Sequence, residues 1–152
     1  MTYQCEVTEQ PAQSTLSVRT KTSVENLPQV LGKIYCDIAQ YLEEAGEHPA
    51  GPPFTAYYNM DMQNLDIEAG FPVPGKLAGK GDIQPGEIPE GKIATCVHTG
   101  PYNEMETAYK AISQWMIEKG YEPLGVAYEM YLNDPEQTPP QELKTQIVFP
   151  LK

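Results

Sequence analysis

The sequence predicts one α+β domain in which a βαββ unit occurs twice, with antiparallel sheets and two main helices. Three observations predict this fold: the length suits one domain, strand and helix spacings occur twice in the same order, and a glycine- and proline-rich stretch separates them. We expect a single domain over 1–152, with halves at about 1–73 and 92–152 and a linker at 74–91. A pseudo-twofold axis would relate the halves and leave a central ligand cleft between them.

Length and composition place the chain among ordinary soluble domains. With 152 residues it can bury roughly 68–70% of the surface that its unfolded form exposes, so folding needs neither a disulfide nor a metal. The composition is 40% hydrophobic and 20% charged, and the N-terminal residues lack a basic and then apolar signal sequence. We therefore expect a cytoplasmic protein without a membrane partner.

The cysteines and histidines argue against metal and disulfide chemistry. Cys5, Cys36 and Cys96 are far apart and odd in number, which is typical of reduced thiols. His48 and His98 are also far apart, so a zinc site has almost no ligands to use. We expect no metal and no cofactor.

The net charge of −11 comes from ten Lys and Arg residues against twenty-one Asp and Glu residues. Such a surface repels phosphate backbones, so direct nucleic-acid binding is not expected. The charge would attract cationic ligands, or it could serve solubility alone.

The first half reads as a strand, a helix and two strands. Residues 4–22 contain alternating β-type residues, and apolar residues recur at helical spacing over 27–42, before Gly46. Residues 54–60 and 65–71 are rich in aromatic or β-branched residues, as in a hairpin. The following stretch, 70–91, has too many glycines and prolines for a helix or a central strand.

The second half repeats this order. Residues 92–99 read as a strand, and helical spacing from Met105 to Met116 ends at Gly120. Strands are expected at 126–132 and 144–151, with a proline-rich loop between them. The residue-level alignment pairs Ala56-Tyr57 with Ala127-Tyr128 and Phe71-Pro72-Val73 with Phe149-Pro150-Leu151, which superposes Tyr58 on Glu129.

Glu129 is the main candidate for chemistry. Strand alternation places it on one face with Tyr131, while Tyr128, Met130 and Leu132 share the other face, which we expect to meet the helices. An ionised carboxylate in mid-strand must be paired or functional; the alternative is that it lies on an exposed edge and faces solvent.

Aromatic residues are expected around this carboxylate. The same alternation puts Phe54, Ala56, Tyr58 and Met60 on the cleft side of the first half. An aromatic box with one carboxylate suits a flat or cationic organic molecule, and it equally suits proton chemistry by a carboxyl of raised pKa.

Further candidates have equally good packing explanations. Trp115 lies beside Ile112 and Met116 on the helix, so it either packs in the core or touches a ligand. Pro53 could form part of the rim of the cleft, and Tyr102 follows a glycine and a proline at the start of the helix.

Several motifs follow one another along nearly the whole chain. They are Gly51-Pro52-Pro53-Phe54 with Tyr57, the stretch 67–73, His98-Thr99-Gly100-Pro101-Tyr102, Trp115 before Gly120-Tyr121, the stretch 128–135, and Phe149-Pro150-Leu151. In these motifs the chain resembles the GyrI-like (gyrase-inhibitor-like) effector-binding domains, which also serve as drug-sensing halves of transcription activators.

The resemblance implies a cleft for hydrophobic, often cationic compounds with Glu129 at its base. Some stand-alone members hydrolyse cyclopropane-bearing toxins with this glutamate and the surrounding aromatics. The chain is similar to that group, since it retains Glu129, Tyr131 and Trp115 and shows no helix-turn-helix segment.

Three functions follow as alternatives. As a hydrolase, Glu129 would take a proton from water beside Tyr131, with the substrate held by Phe54, Tyr58, Tyr102, Trp115 and Tyr131. As a binding module, the protein would sequester or report a small hydrophobic or aromatic molecule. As a gyrase-inhibitor-type module, it would dock onto a basic protein partner through its charge.

Overall fold

The computed structural model describes residues 3–59, 61–134 and 137–152. The chain forms two compact units, Ala12–Pro89 (the N-terminal unit) and Met1–Pro11 with Glu90–Lys152 (the C-terminal unit). Each unit packs one long helix against antiparallel strands. This arrangement confirms the predicted α+β class, the antiparallel pairing and the two main helices.

The N-terminal unit has four strands in the order β3-β4-β2-β5, all paired antiparallel. The longest ladder joins β2 to β4, and β5 lies at the edge. The elements are β2 (Gln13–Thr22), α1 (Leu27–Glu44), β3 (Phe54–Tyr57), β4 (Leu65–Pro72) and β5 (Gln84–Ile88).

Helix α1 forms because its sequence combines a start signal with an apolar stripe. Pro28 lies in the first turn, where a missing N–H costs nothing. Ile34, Ile38 and Leu42 recur at helical spacing and are buried against Leu16 and neighbouring residues of the sheet. This packing fixes the sheet face that α1 covers.

The C-terminal unit has four strands in the order β1-β6-β8-β7, again antiparallel. Short 3₁₀ turns precede α2 and β8. The elements are β1 (Glu6–Gln10), β6 (Gly91–Thr99), α2 (Met105–Lys119), β7 (Ala127–Tyr131) and β8 (Lys144–Pro150).

Helix α2 covers one face of this second sheet. Its buried residues, among them Ala108 and Ile112, pack against Cys96 of β6 and Ile147 of β8. The helix ends at Gly120, whose φ of 78° lies in the left-handed region that favours glycine. The predicted glycine stop is confirmed.

Two segments differ from the sequence-based expectation. The alternating stretch 4–22 forms two strands, since Pro11 lacks the N–H that a continuous ladder needs. Of these, β1 pairs with β6 and belongs to the C-terminal unit, whereas β2 belongs to the N-terminal unit. The glycine-rich stretch contributes β5, which tolerates Pro85 because it is an edge strand. The compact units thus have other boundaries than the expected halves, and the pseudo-twofold axis stays a prediction.

Two residues named in the sequence-based predictions, Met60 and Pro135, lie outside the described residues. Among the described residues, no helix is both long enough and apolar enough to cross a lipid bilayer.

Candidate functional site

Glu129 lies on β7, where two phenols donate hydrogen bonds to its carboxylate. The hydroxyl of Tyr109, from α2, bonds to Oε2, and the hydroxyl of Tyr131 bonds to Oε1 over 3.0 Å. A carboxylate has about four acceptor positions, so two lone pairs are left for a ligand or water. The helix and the strand together fix the orientation of this carboxylate.

The helix covers the same face of the sheet as Glu129. Glu129 is paired with Ile147, which packs against Ile112 of α2. The expectation that the face of Tyr128 meets the helix is therefore wrong. Alternation identifies the residues that share a face, but it does not identify the face that a helix covers.

Burial sets the electrostatics of the site. It raises the pKa of the Glu129 carboxyl, because burial penalises the charged form, while the hydrogen bonds from Tyr109 and Tyr131 and the nearby His98 oppose the rise. Within the described part of the chain, Glu129 forms no ion pair with a lysine or arginine. The site therefore holds a carboxylate whose hydrogen-bond partners are neutral.

His98 is buried, with an exposed fraction of 2%, and both of its ring nitrogens have partners. Nε2 donates to the carbonyl oxygen of Pro101 over 3.1 Å, since a carbonyl can only accept, and Nδ1 lies 3.1 Å from the hydroxyl of Tyr3. The ring thereby ties the N-terminal segment to the turn that carries Tyr102.

Tyr102 lies beside Tyr131, in the 3₁₀ turn that precedes α2. The ring centroids are 5.5 Å apart with an interplanar angle of 59°, and Tyr102 is 38% exposed. Burial raises the pKa of Tyr102, and the negative charges of Asp134 and Glu129 add to the rise. The structure thus brings together three predicted site residues: Glu129, Tyr131 and Tyr102.

Thr145 adds a buried hydroxyl next to this group. It is paired with Tyr131 across the β7–β8 ladder, is fully buried, and its Oγ1 has no hydrogen-bond partner among the described residues. A buried hydroxyl without a partner is costly, so this atom is a candidate for binding a water molecule or a polar ligand atom.

Trp115 lies elsewhere in the C-terminal unit. Its ring stacks on Tyr121 with centroids 5.7 Å apart, and it lines a cavity of about 1070 Å³ together with Tyr3 and Cys96. Glu129 is not one of the described residues that line this cavity.

The other predicted residues belong to the N-terminal unit. Phe54 is 1% exposed and therefore a core residue, while Pro53 is partly exposed just before β3. Tyr58 follows β3, and its hydroxyl donates to Glu68 over 2.5 Å. The guanidinium carbon of Arg19 lies 3.9 Å from the centroid of the Tyr58 ring.

Strand register corrects the superposition of Tyr58 on Glu129. Glu129 lies opposite Ile147 on the helix-covered face, and the position with the same relation to α1 is Thr55, opposite Ala69. The hydroxyl of Tyr35, from α1, lies 2.7 Å from Thr55 Oγ1. This contact corresponds to the one between Tyr109 of α2 and Glu129 in the other unit. Alignment of the shared Ala-Tyr pairs chose the wrong register.

Tyr109 is the site residue that sequence reasoning missed, because its helical position predicts only core packing. A signal was present, since a tyrosine among buried aliphatic residues usually finds a partner for its hydroxyl. Its ring also packs edge-on against Phe149, as the ring of Tyr35 does against Phe71.

These two tyrosines provide a matched pair of variants. We expect Tyr109→Phe to destabilise the protein by about 1.5–3 kcal/mol when Glu129 is ionised, the range for hydrogen bonds to charged groups. Since Tyr109 favours the ionised form, the loss should shrink as the pH falls through the raised pKa of Glu129. Urea unfolding at pH 8 and at pH 5 measures the difference.

The control is Tyr35→Phe, which removes hydrogen bonds to Thr55 Oγ1 and to the carbonyl oxygen of Phe54, both neutral groups. Its cost should be the same at both pH values. Equal pH dependence in the two variants would contradict the assigned role of Tyr109.

Over 3–59, 61–134 and 137–152, no three His, Cys, Asp or Glu side chains come together in an arrangement that could hold a metal ion.

Comparisons with known proteins agree with this architecture. A family model described as the GyrI-like small molecule binding domain matches residues 3–152. No curated protein matches the chain. The crystal structure of the EcmrR C-terminal domain is 25% identical with a TM-score of 0.88, covering 100% of this chain and 99% of that one.

Two further structures extend the comparison. EcmrR in a complex with DNA is 25% identical with a TM-score of 0.86; the match covers 99% of this chain but 57% of the EcmrR chain. A hydrolase from Listeria innocua is 18% identical with a TM-score of 0.72, over 98% of this chain and 92% of that one. At 18% identity, that likeness shows the fold alone.

Proposed function

Because the chain belongs to the GyrI-like small molecule binding domain family, we propose that it binds a hydrophobic organic cation beside Glu129. The observation that carries this proposal is the partly buried carboxylate of Glu129, which has two neutral phenol partners. Burial of a carboxylate is costly unless a positive charge compensates it. A bound cation would supply that charge.

The surrounding rings favour the same class of ligand. Tyr131 and Tyr102 lie side by side next to the carboxylate, and aromatic faces attract positive charge. The net charge of −11 would raise the local concentration of cations. The family match supports binding of a small molecule, and the carboxylate with its aromatic neighbours supports a cationic one.

One structural neighbour supports this ligand class. SAV2435, at 10% identity and a TM-score of 0.66 over 100% of this chain and 94% of that one, was solved bound to tetraphenylphosphonium, a hydrophobic cation. Pro53 and Trp115 stay predicted ligand contacts, whereas Phe54 would have to leave its buried position to join them.

The pH dependence of binding tests the proposal. A bound cation stabilises the ionised form of Glu129, so binding releases a proton wherever the free carboxyl is protonated. We expect the affinity for tetraphenylphosphonium to rise by up to about tenfold per pH unit below the raised pKa and to level off above it. Isothermal titration calorimetry between pH 4.5 and 8.5 measures this profile.

A Glu129→Gln variant serves as the control, because it keeps the size of the side chain and lacks the carboxyl. Its affinity should show no such rise with pH. A wild-type profile that is flat, or a variant profile with the same rise, would exclude Glu129 as the counter-ion.

Hydrolysis is the second candidate function, and the raised pKa of Glu129 favours it. A carboxylate of raised pKa is a stronger base, suited to take a proton from water near neutral pH. In a substrate with a conjugated cyclopropane, the water oxygen would bond to a ring carbon and a ring C–C bond would break. The electron pair would pass to the conjugated carbonyl as an enolate, which Tyr131 could stabilise by turning its hydroxyl away from Glu129. Glu129 would then return the proton to the enolate, which completes the addition of water and restores the carboxylate.

The two candidates differ in what happens to the ligand. A hydrolase would release a product one water heavier than its substrate, whereas a sequestering or sensing domain would return the ligand intact. The DNA complex of EcmrR makes sensing a reasonable role for this family, and for that reason the absence of direct nucleic-acid binding here stays a prediction.

A further inference from the structure

Arg19, the single arginine of the sequence, is bound like a ligand in the N-terminal unit. Its guanidinium carbon lies 3.9 Å from the centroid of the Tyr58 ring. Its Nε donates to Asp66 Oδ1 over 3.1 Å, and its Nη2 donates to Asp66 Oδ2 over 2.9 Å. The guanidinium, a planar organic cation, thus contacts an aromatic face and a carboxylate at the same time.

The Tyr58 ring is also held by groups other than Arg19. Its hydroxyl donates to Glu68 Oε1 over 2.5 Å, and the hydroxyl of Ser17 donates to Glu68 Oε2, also over 2.5 Å. Ser17 is 3% exposed, so this end of the arrangement is fixed in the sheet. The ring should therefore keep its place when the guanidinium leaves.

Strand register places these groups on the sheet face away from α1. Arg19 on β2 is paired with Glu68 on β4, whereas the neighbouring pair of Val18 and Ala69 packs under the helix. Because neighbours along a strand point to opposite faces, Arg19 and Glu68 share the other face. The helix therefore does not cover this cation site.

The contact of Arg19 is exchangeable. The Arg19 side chain is 55% exposed and that of Asp66 is 23% exposed. Ion pairs and cation–π contacts at exposed positions contribute little, since water and salt screen them. A free planar cation can therefore compete with the guanidinium for the ring.

We propose that Tyr58, Asp66 and Glu68 form a second binding site, for planar organic cations of the guanidinium or amidinium class, which Arg19 fills as an internal ligand. The site goes beyond the proposed function and does not depend on Glu129. It also changes the role of Tyr58. The ring of Tyr58 would hold a cation together with Asp66 and Glu68 of its own unit, and not together with Glu129.

Phenylguanidinium chloride is the probe, titrated by calorimetry into a Glu129→Gln background so that binding beside Glu129 does not contribute. Arg19→Gln should bind the probe at least about fivefold more tightly than the background protein, since it removes a weak internal competitor. Lys33→Gln is the matched control, because it also removes one positive charge and one exposed ion pair, with Asp37, from the same unit. It should leave the affinity unchanged.

Variants of Tyr58 identify the site. In the Arg19→Gln protein, Tyr58→Leu should abolish the gain in affinity. Tyr58→Phe should retain part of it, since it keeps the ring but loses the hydrogen bond to Glu68 that fixes it. Arg19→Lys should give a smaller gain in the same direction, since it loses the planar stack. The proposal is overturned if Lys33→Gln produces the same gain, if the gain survives Tyr58→Leu, or if no Arg19 variant that folds by circular dichroism shows one.

Discussion

Replacing Glu129 by glutamine should weaken the binding of tetraphenylphosphonium by about 30-fold or more, which corresponds to about 2 kcal/mol for the loss of a desolvated charge partner. Glutamine keeps the size of the side chain and can still accept a hydrogen bond from Tyr109 or Tyr131. The expected loss therefore reports the charge and not the shape. Calorimetry at pH 8 measures it, since Glu129 must be ionised in the wild type.

The same substitution should not destabilise the fold. When the pKa of a carboxyl is higher in the folded than in the unfolded state, the protein becomes less stable as the pH rises from the lower to the higher pKa. At pH 8 the wild type bears this cost in full, and the neutral glutamine does not. Glu129→Gln should therefore melt at the same or a higher temperature than the wild type. Functional residues often reduce the stability of the fold in this way.

Glu118→Gln provides the control for net charge. Glu118 lies on α2 and is exposed, so its substitution changes the total charge by the same amount. Equal losses of affinity in both variants would mean that the overall field, and not Glu129, attracts the cation. Equal affinity in the wild type and Glu129→Gln would remove the counter-ion role altogether.

A turnover assay with the same proteins separates the two candidate functions. Mass spectrometry after incubation with a cyclopropane-bearing alkylating agent should show a water-added product from the wild type only, if the protein is a hydrolase. Recovery of the agent unchanged from both proteins would leave binding as the function.

Local signals in the sequence predicted the elements well. The apolar stripe of α1 and the glycine after α2 define both helices, because helical spacing and left-handed glycine are properties of short segments. The Glu129–Tyr131 pair on one strand face is likewise a local consequence of alternation. Such features depend on few residues and no tertiary contacts.

Pairing between distant segments was not predictable in the same way. Strand β1 joins the unit formed by the second half of the chain, because its partner β6 lies far away in sequence. The face of β7 that α2 covers, and hence the bond from Tyr109, depends on the β6–β8–β7 register. A single sequence contains no direct signal for either choice.

The contact of Arg19 with Tyr58 could not be predicted from the sequence either, because it also depends on strand pairing. The sequence places Tyr58 in an aromatic site but does not show that a cation of the chain lies on its ring. That contact arises because β2 pairs with β4, which brings Arg19 opposite Glu68. Of this group the sequence analysis named only Tyr58, and the β2–β4 pairing brings in Arg19 and Glu68.

The second large effect should come from Gly70, where β4 passes very close to β2. A Cβ added at Gly70 would lie 2.0 Å from the carbonyl oxygen of Leu16 and 2.7 Å from Cα of Ser17. Both atoms belong to the backbone of the longest ladder in the unit, so neither can move without breaking strand hydrogen bonds. We expect Gly70→Ala to lower the free energy of unfolding by more than about 3 kcal/mol, as severe overpacking does.

Gly32 offers the matched control for this glycine. It lies on α1, it is exposed, and a Cβ there meets nothing within 4 Å. Gly32→Ala should raise the free energy of unfolding by about 0.5–1 kcal/mol, because alanine is the better helix former. The same chemical change should thus have opposite signs at the two positions in urea unfolding. If Gly70→Ala were tolerated as well as Gly32→Ala, the close approach of β2 and β4, and with it the register that places Arg19 opposite Glu68, would be wrong.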